Sequence, residues 1–139
     1  MEKSDIFKIS QDIARAKDLI EMAKESLNIT IKVIPVSLSY KLLVEYYEIF
    51  VQLATSLMYL EGYKTLSHVA LIEFLSKKNY FNYDEIKIFD EMRKFRHGTV
   101  YYGRKESGNF YINHEKEIKE TINKLLNLVE KKLREVEKK

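Results

Sequence analysis

Apolar residues recur every three to four positions along most of the chain, which is the spacing of one face of an α-helix. The first such series comprises Ile6, Ile9, Ile13, Ala16, Ile20, Ala23 and Leu27. It predicts a first helix from about Asp5 to Leu27 that packs along another helix. Residues 28–35 instead alternate β-branched side chains, a strand pattern when taken alone, but no partner strand is evident. We therefore predict an extended connection there, with Pro35 helping to set the start of the next helix.

The second predicted helix, from about Ser37 to Glu61, is apolar almost all round, which is typical of a helix at the centre of a bundle. Its polar exceptions form a narrow stripe of residues three to four apart: Glu45, Glu48 and Gln52. A buried carboxylate in this stripe would need a cation, and Arg93 or Arg96 are candidate partners. Alternatively the stripe faces water, and this alternative suits Glu48 better than Glu45.

Local signals place the boundaries of the remaining helices. Gly62 is expected to end the second helix, and Thr65 or Ser67 to cap a short third helix that reaches about Ser76. Asn82 followed by Glu85 has the spacing of a capping box, which predicts a fourth helix starting near Tyr83. Phe81 and Ile86 flank this start in the positions of a hydrophobic staple. Gly103 and Gly108 are expected to bracket a turn, and Asn113 to cap a final helix.

These patterns together predict one all-α domain spanning residues 1–139, an up-and-down antiparallel bundle of about five helices. The chain has only four glycines and one proline, which favours long helices over a strand-rich fold.

Composition narrows the possible classes of protein. The chain has no cysteine, which excludes disulfides, thiolate chemistry and cysteine metal sites, and cytoplasmic localisation is the default expectation. The longest apolar stretch, Ile49 to Leu60, is interrupted by polar residues and is too short for a membrane span, so we expect no membrane association. Residues 1–5 carry acidic side chains where a signal peptide would be basic, so we expect no targeting segment. Abundant Lys and Glu hint at a thermophilic source.

Charge is well mixed except in one segment, although the net charge of +3 is too small to indicate a nucleic-acid binder. Residues 93–105 contain five basic side chains and no acidic one: Arg93, Lys94, Arg96, Arg104 and Lys105. On a helix, Arg93, Arg96, His97 and Tyr101 share one face, with Asp90 one turn before Arg93. Arginine forks match phosphate oxygens, histidine changes protonation near neutral pH, and tyrosine can stack on a base. An alternative is an ordinary Asp90–Arg93 ion pair beside tyrosines that pack on a neighbouring helix.

Other sites are not indicated by the sequence. His68, His97 and His114 are scattered, and Ile118 stands where a zinc-binding His-Glu-x-x-His motif needs its second histidine, so no metal site is expected. We find no phosphate-binding glycine loop, nucleophile elbow or dinucleotide fingerprint, and no cofactor is expected. His68 is interpreted as a helix-start residue packed or capped locally, and His114 as a solvent-facing residue near a helix N-terminus.

Three motifs carry a resemblance to a known family. They are Gly-Tyr-Lys-Thr-Leu-Ser-His-Val-Ala-Leu-Ile-Glu at residues 62–73, Asp-Glu-Met-Arg-Lys-Phe-Arg at 90–96, and Tyr-Tyr-Gly at 101–103. Together they resemble the HEPN family of small archaeal and bacterial helical proteins. The resemblance implies a helical bundle that forms a homodimer, often as the partner of a minimal nucleotidyltransferase in toxin–antitoxin and other defence systems. Several members of that family are metal-independent endoribonucleases.

The resemblance also suggests roles for individual residues. In the ribonucleases an arginine precedes a histidine by a few residues. Arg96 matches that arginine and His97 the polar position beside it, but Tyr101 occupies the place of the histidine. The candidate catalytic residues are therefore Arg96, His97 and Tyr101. The candidate RNA- or nucleotide-binding residues are Arg93, Arg96, Tyr101, Tyr102, Arg104 and Lys105, with Glu45 and Asp90 as supporting carboxylates.

Three functions remain open at the level of sequence. The first is a module that binds RNA or a nucleotide through the Arg/His/Tyr segment. The second is a metal-independent endoribonuclease in which His97 acts as acid or base and Arg96 holds the scissile phosphate. The third is a structural dimer interface whose charges are neutralised internally by Glu45, Asp90 and their neighbours.

Overall fold

The structure, a computed structural model, describes residues 5–138 and confirms the all-α class. Residues 1–4, on which part of the expectation of no targeting segment rests, lie outside this range. Helix α1 consists of an α-helical stretch Ile13–Glu25, a π-helical stretch Ser26–Thr30 and a last turn Ile31–Val33. The other helices are α2 (Ser39–Glu61), α3 (His68–Lys77), α4 (Tyr83–Tyr102) and α5 (Glu106–Glu137). A two-stranded antiparallel ribbon pairs β1 (Ile6–Lys8) with β2 (Tyr63–Thr65).

Contacting side chains give the direction of each helix in the bundle. For three pairs of neighbouring helices, the contacting residues have numbers that rise on one helix and fall on the other, so each pair is antiparallel. The contacts are Glu48–Arg96 and Phe50–Phe89 between α2 and α4, Glu85–Lys124 and Phe95–Phe110 between α4 and α5, and Lys17–Glu137 and Lys24–Glu130 between α1 and α5. The long helices therefore run up and down in chain order, as predicted, with the short α3 between α2 and α4.

Helix α2 forms the centre of the hydrophobic core. Tyr47, Phe50 and Leu53 are fully buried, and buried side chains cover more than half of the surface of this helix. The predicted polar stripe of Glu45, Glu48 and Gln52 lies on the remaining, partly exposed face. Phe50 stacks on Phe89 of α4 at a centroid distance of 4.3 Å, and Tyr46 stacks on Tyr111 of α5 at 5.7 Å. The Phe50–Phe89 contact therefore holds α4 against α2 and sets the orientation of the charged face of α4.

The predicted start of the first helix is wrong. Helix α1 begins at Ile13, after Asp12, whose carboxylate accepts a hydrogen bond from the backbone N–H of Arg15 at 3.1 Å. The preceding residues form β1, in which Ile6 lies opposite Thr65 of β2. This pairing joins segments far apart in sequence. It was not predicted because Ile6 and Ile9 continue the helical spacing of the apolar residues that follow.

The predicted extended connection at residues 28–35 is also wrong, because the chain stays helical as far as Val33. Leu27, Ile31 and Ile34 pack against the core, and their spacing of four and three residues is helical. Burial of these side chains outweighs the preference of β-branched residues for strands. Pro35 then has an extended conformation and precedes the short 3₁₀ turn that leads into α2, consistent with its predicted role.

The predicted caps of the central helices are confirmed. Gly62 ends α2 with a left-handed φ of 85°, and the Ser67 hydroxyl accepts a hydrogen bond from the backbone N–H of Ala70 at the start of α3. Asn82 and Glu85 form a complete capping box at the start of α4, with distances of 2.9 and 2.8 Å. These local signals therefore fix the end of α2 and the starts of α3 and α4.

The predicted start of the last helix is wrong. Helix α5 begins at Glu106, so Gly108 and Asn113 lie within it, although the backbone leaves helical geometry at His114 (φ −124°, ψ 19°) and the helix is kinked there. Gly108 allows a close approach to α2, since a Cβ on Gly108 would lie 2.6 Å from the Oγ of Ser39. This approach needs a residue without a side chain, and the glycine therefore serves packing and does not form a turn.

A buried carboxylate joins the end of α2 to α3 and α5. The side chain of Glu61 is 7% exposed and accepts a hydrogen bond from the Tyr80 hydroxyl at 2.6 Å. Lys78 lies 2.9 Å from one of its oxygens, and Lys132 of α5 lies 3.8 Å from the other. Burial and the hydrogen bond to Glu61 raise the pKa of Tyr80 to about 12. The charge of Glu61 is thus compensated within the fold.

Candidate anion-binding site

Four residues predicted to share one face of α4 line a single cavity of about 320 Å³: Arg93, Arg96, His97 and Tyr101. Leu66 and His68, from the β2–α3 connection and the first position of α3, complete the lining of this arginine cavity. The N-terminal end of α3 lies at its edge, and the partial positive charge of a helix N-terminus favours an anion there. The lining contains no carboxylate. The arginine cavity is therefore suited to an anionic ligand.

Asp90 holds Arg93 from the preceding turn of α4, which confirms the predicted ion pair. The Nε and Nη2 atoms of Arg93 lie 3.0 and 2.9 Å from the same carboxylate oxygen. Lys94 lies 3.4 Å from the other oxygen of Asp90. Because both Arg93 nitrogens share one oxygen, the guanidinium is oriented by Asp90 and still has N–H donors for a ligand.

Arg96 pairs with Glu48 rather than with the predicted Glu45. Its Nη2 lies 3.3 Å from a Glu48 oxygen, and the two side chains are 18% and 43% exposed. The guanidinium also lies 5.8 Å from the ring centroid of Tyr47 and 5.7 Å from that of Tyr101. Arg96 is thus held between α2 and α4 by one ion pair and two aromatic rings.

The Nε of Arg96 is buried and makes no hydrogen bond with the residues that the structure describes. An N–H group in this state has lost hydration without gaining a partner, which is unfavourable. Arg96 therefore carries one buried donor without a partner, and the N–H groups that Glu48 does not engage are the ones left for a ligand.

His97 and Tyr101, which line the arginine cavity, form an exposed aromatic cluster with Tyr102, which contacts His97. The His97 ring lies 4.8 Å from that of Tyr101 and 5.7 Å from that of Tyr102, between centroids. Tyr101 and Tyr102 are 61% and 65% exposed, and the neighbouring Leu66 is 90% exposed. Exposed rings beside a cationic cavity can stack on unpaired nucleobases.

The predicted binding residues Arg104 and Lys105 do not line the arginine cavity. Gly103 ends α4 with a left-handed φ of 66°, and the chain leaves the helix face at that point. Arg104 lies over the Tyr102 ring at 5.3 Å and lines a different cavity of about 440 Å³, whose other charged residues include Glu91 and Glu106. Lys105 lies over the ring of Tyr40 at 5.2 Å. The structure therefore divides the predicted binding residues between separate places.

His68 is the residue of the arginine cavity that the sequence did not indicate. Its Nδ1 lies 3.0 Å from the hydroxyl of Tyr47, whose side chain is fully buried in α2. Burial, and then the nearby charge of Arg96, lower the pKa of His68 below its ordinary value. The prediction that His68 lies at the start of a helix is confirmed, since it follows the Ser67 cap, but no local signal indicates its proximity to α4.

Within residues 5–138, no group of three or more His, Cys, Asp or Glu side chains has an arrangement that could hold a metal ion. Over the same residues, no single helix is long and apolar enough to cross a membrane, and only the pair Ile13–Val33 and Val36–Glu61, bent by 116°, meets the length and composition criteria.

No protein-family model matches this chain, and no curated protein sequence matches it significantly. The resemblance to the HEPN family therefore stays a prediction that rests on the three motifs.

Proposed function

We propose that this protein binds RNA or a nucleotide, and that the arginine cavity holds a phosphate group. The observation that carries the proposal is the lining of that cavity, where two arginines and two histidines meet without a carboxylate. Arginine presents a planar fork of donors that matches phosphate oxygens, and such charge-assisted hydrogen bonds are the strong ones. The polar groups of the lining come from two separate helices, α3 and α4, so the cavity is a product of the fold.

The size and rim of the arginine cavity favour a nucleotide over a bare phosphate ion. Its volume of about 320 Å³ lies at the lower end of the range for small-molecule sites. A phosphate group fills only part of this space, which leaves room for a sugar. The exposed rings of Tyr101 and Tyr102 at the rim are available for a base.

The ion pairs of Arg93 and Arg96 limit the positive charge without removing the site. Each guanidinium has one carboxylate neighbour, so the local net charge is small. Neither Asp90 nor Glu48 is among the residues that line the cavity. Ligand binding in the arginine cavity would therefore depend on directed hydrogen bonds from the oriented guanidinium groups more than on a strong long-range electrostatic field.

The proposed partners follow from the resemblance described above. We propose that the protein acts in the cytoplasm as a homodimer and works beside a minimal nucleotidyltransferase in a toxin–antitoxin or other defence system. Light scattering after size exclusion tests the dimer, since a monomer would give the chain mass of 16.6 kDa. Sequencing of the adjacent open reading frame tests the nucleotidyltransferase partnership.

The binding experiment uses fluorescence anisotropy with a labelled single-stranded oligoribonucleotide at several salt concentrations. We expect Arg93→Ala and Arg96→Ala to weaken binding and to reduce its salt dependence. Arg134→Ala is the matched control, because it removes the same charge from an exposed position on α5. Arg104 was predicted to bind the ligand but lies outside the arginine cavity, so Arg104→Ala should weaken binding less than Arg96→Ala. Equal effects of all four substitutions, or no binding by the wild type, would refute the proposal and favour a structural interface.

A second candidate function is a metal-independent endoribonuclease, and the observation that favours it is the presence of both His68 and His97 at one cavity with two arginines. Cleavage of RNA without a metal needs proton transfer to and from oxygen atoms and stabilisation of the phosphorane charge. His97 is the proposed acid or base, and Arg96 the proposed charge stabiliser. RNA incubated with the protein in EDTA tests this activity. Cleavage that disappears in both His97→Ala and Arg96→Ala supports it, whereas intact RNA with the wild type rejects it.

A further inference from the structure

The hydrogen bond between Tyr47 and His68 determines which nitrogen of His68 carries a proton. The Tyr47 side chain is fully buried, and within residues 5–138 its hydroxyl has His68 Nδ1 as its hydrogen-bond partner, at 3.0 Å. A buried hydroxyl hydrogen without an acceptor is unfavourable, so the hydroxyl donates and Nδ1 accepts. Nδ1 must then be unprotonated, and a neutral imidazole carries its proton on Nε2.

The surroundings keep both groups in these protonation states near neutral pH. Burial and the charge of Arg96 lower the pKa of His68, which favours the neutral ring. Burial raises the pKa of the Tyr47 hydroxyl above its ordinary value, which keeps its proton in place. The other charged groups near the ring are Glu48 and Arg93, which have opposite effects on the pKa of His68.

The remaining ring nitrogen is available to a ligand. His68 lines the arginine cavity, and Nδ1 is occupied by Tyr47 on the core side. Among the described residues, Nε2 of His68 has no hydrogen-bond partner, although Nε2–H is a good donor. The arginine cavity thus contains a neutral donor beside two charged ones.

We propose that His68 is a further ligand-binding residue of the arginine cavity, and that its Nε2–H donates a hydrogen bond to an oxygen of the bound phosphate. This inference rests on the proposed function. The ligand class is a phosphate ester oxygen, which occurs both in an internal phosphodiester and in a terminal phosphate monoester. Because the donor is neutral, its contribution should be independent of salt and should persist from pH 7 to pH 8.5.

The tautomer can be tested without any ligand. Long-range ¹H–¹⁵N correlation spectra of the full chain, labelled with ¹⁵N-histidine, should show at pH 7.5 an imidazole with a proton on Nε2 and none on Nδ1. That pattern should be missing in His68→Gln and should change to mixed tautomers in Tyr47→Phe. A Nδ1–H tautomer or an imidazolium at His68 would overturn the inference, whatever the protein binds.

The contact with phosphate is tested by two isosteric substitutions. The side-chain amide of glutamine reaches the position of Nε2, whereas that of asparagine reaches only the position of Nδ1. We expect His68→Asn to weaken binding of the labelled oligoribonucleotide roughly three- to tenfold with an unchanged salt slope, and His68→Gln to retain most of the affinity. His114→Asn is the matched control at a histidine outside the cavity. Circular dichroism and melting curves confirm that each variant is folded.

Each outcome separates the two proposals. Loss of binding in Arg96→Ala with no loss in His68→Asn would refute the role of His68 and leave the proposed function standing. Equal losses in His68→Asn and His68→Gln would also refute the specific Nε2 contact. Absence of oligonucleotide binding by the wild type, with the Nε2–H tautomer present, would refute the proposed function and the phosphate contact together. Competition by a 5′-mononucleotide and by a dinucleoside monophosphate distinguishes a terminal phosphate from an internal one.

Discussion

Replacement of Arg96 by alanine tests whether this guanidinium serves the fold or a ligand. The ion pair with Glu48 is partly exposed and 3.3 Å long, and such pairs contribute at most about 1 kcal/mol. The two tyrosine rings at 5.8 and 5.7 Å add about 0.5–1 kcal/mol each through cation–π attraction. Removal of the buried, unpartnered Nε offsets about 1 kcal/mol of this loss. The expected cost to the free energy of unfolding is therefore at most about 2 kcal/mol.

The same substitution should affect binding more strongly than stability. A hydrogen bond between a charged donor and phosphate contributes about 1.5–3 kcal/mol, so affinity for the oligoribonucleotide should fall by roughly 10- to 150-fold. The slope of log affinity against log salt should fall by about 0.7 for each phosphate of the single strand that the variant no longer neutralises.

Urea denaturation followed by far-UV circular dichroism measures the first quantity, and anisotropy measures the second. Arg134→Ala should change the unfolding free energy by less than about 0.5 kcal/mol, as expected for an exposed position. A loss of about 3–5 kcal/mol, the range for a broken buried ion pair, combined with unchanged affinity would refute our reasoning. Arg96 would then be a structural residue, and the third function considered from the sequence would be favoured.

Three further predictions test the packing and the buried groups. Gly108→Ala should destabilise the fold by about 1–3 kcal/mol in urea denaturation, because the added methyl group meets Ser39 Oγ at 2.6 Å; an unchanged midpoint would show that α2 and α5 can separate at low cost. Tyr80→Phe should cost about 1.5 kcal/mol by the same assay, since buried Glu61 loses a hydrogen bond but keeps its lysines, and a stabilised variant would contradict this account. The lowered pKa of His68 means that the unfolded chain binds its proton first, so stability should decline as the pH falls below about 6.5, and His68→Asn should show a weaker decline between pH 7.5 and 5.5; parallel curves would contradict the burial argument.

The sequence predicted those parts of the fold that depend on short-range physics. Asn82 and Glu85 cap each other across one turn, and Gly62 takes a conformation that favours glycine, so both boundaries could be predicted from neighbouring residues. Ile6 and Ile31 were assigned to the wrong structure because long-range contacts decide it. Ile6 pairs with a strand that follows α2, and Ile31 is helical because it packs against the core.

The sequence predicted the part of the candidate site that lies on a single helix. Helical spacing brought Arg93, Arg96 and Tyr101 to one face, and the structure places them at one cavity. Arg104 was grouped with them by nearness in sequence, but the left-handed turn at Gly103 carries it elsewhere. His68 reaches the cavity only through tertiary packing, which residue spacing alone cannot show.

The bend at His114 restricts how the longest helix can be seated in the bundle. A straight amphipathic helix can slip by one turn, about 5.4 Å, and still cover much the same apolar surface. In α5 the glycine contact at Ser39 lies before the bend, and the pairs with Lys24 and Lys17 of α1 lie after it. If α5 shifted by one turn, its bend would move relative to α1 and α2, and the two halves of the helix would no longer fit against them. The bend therefore fixes the register of α5 along its neighbours.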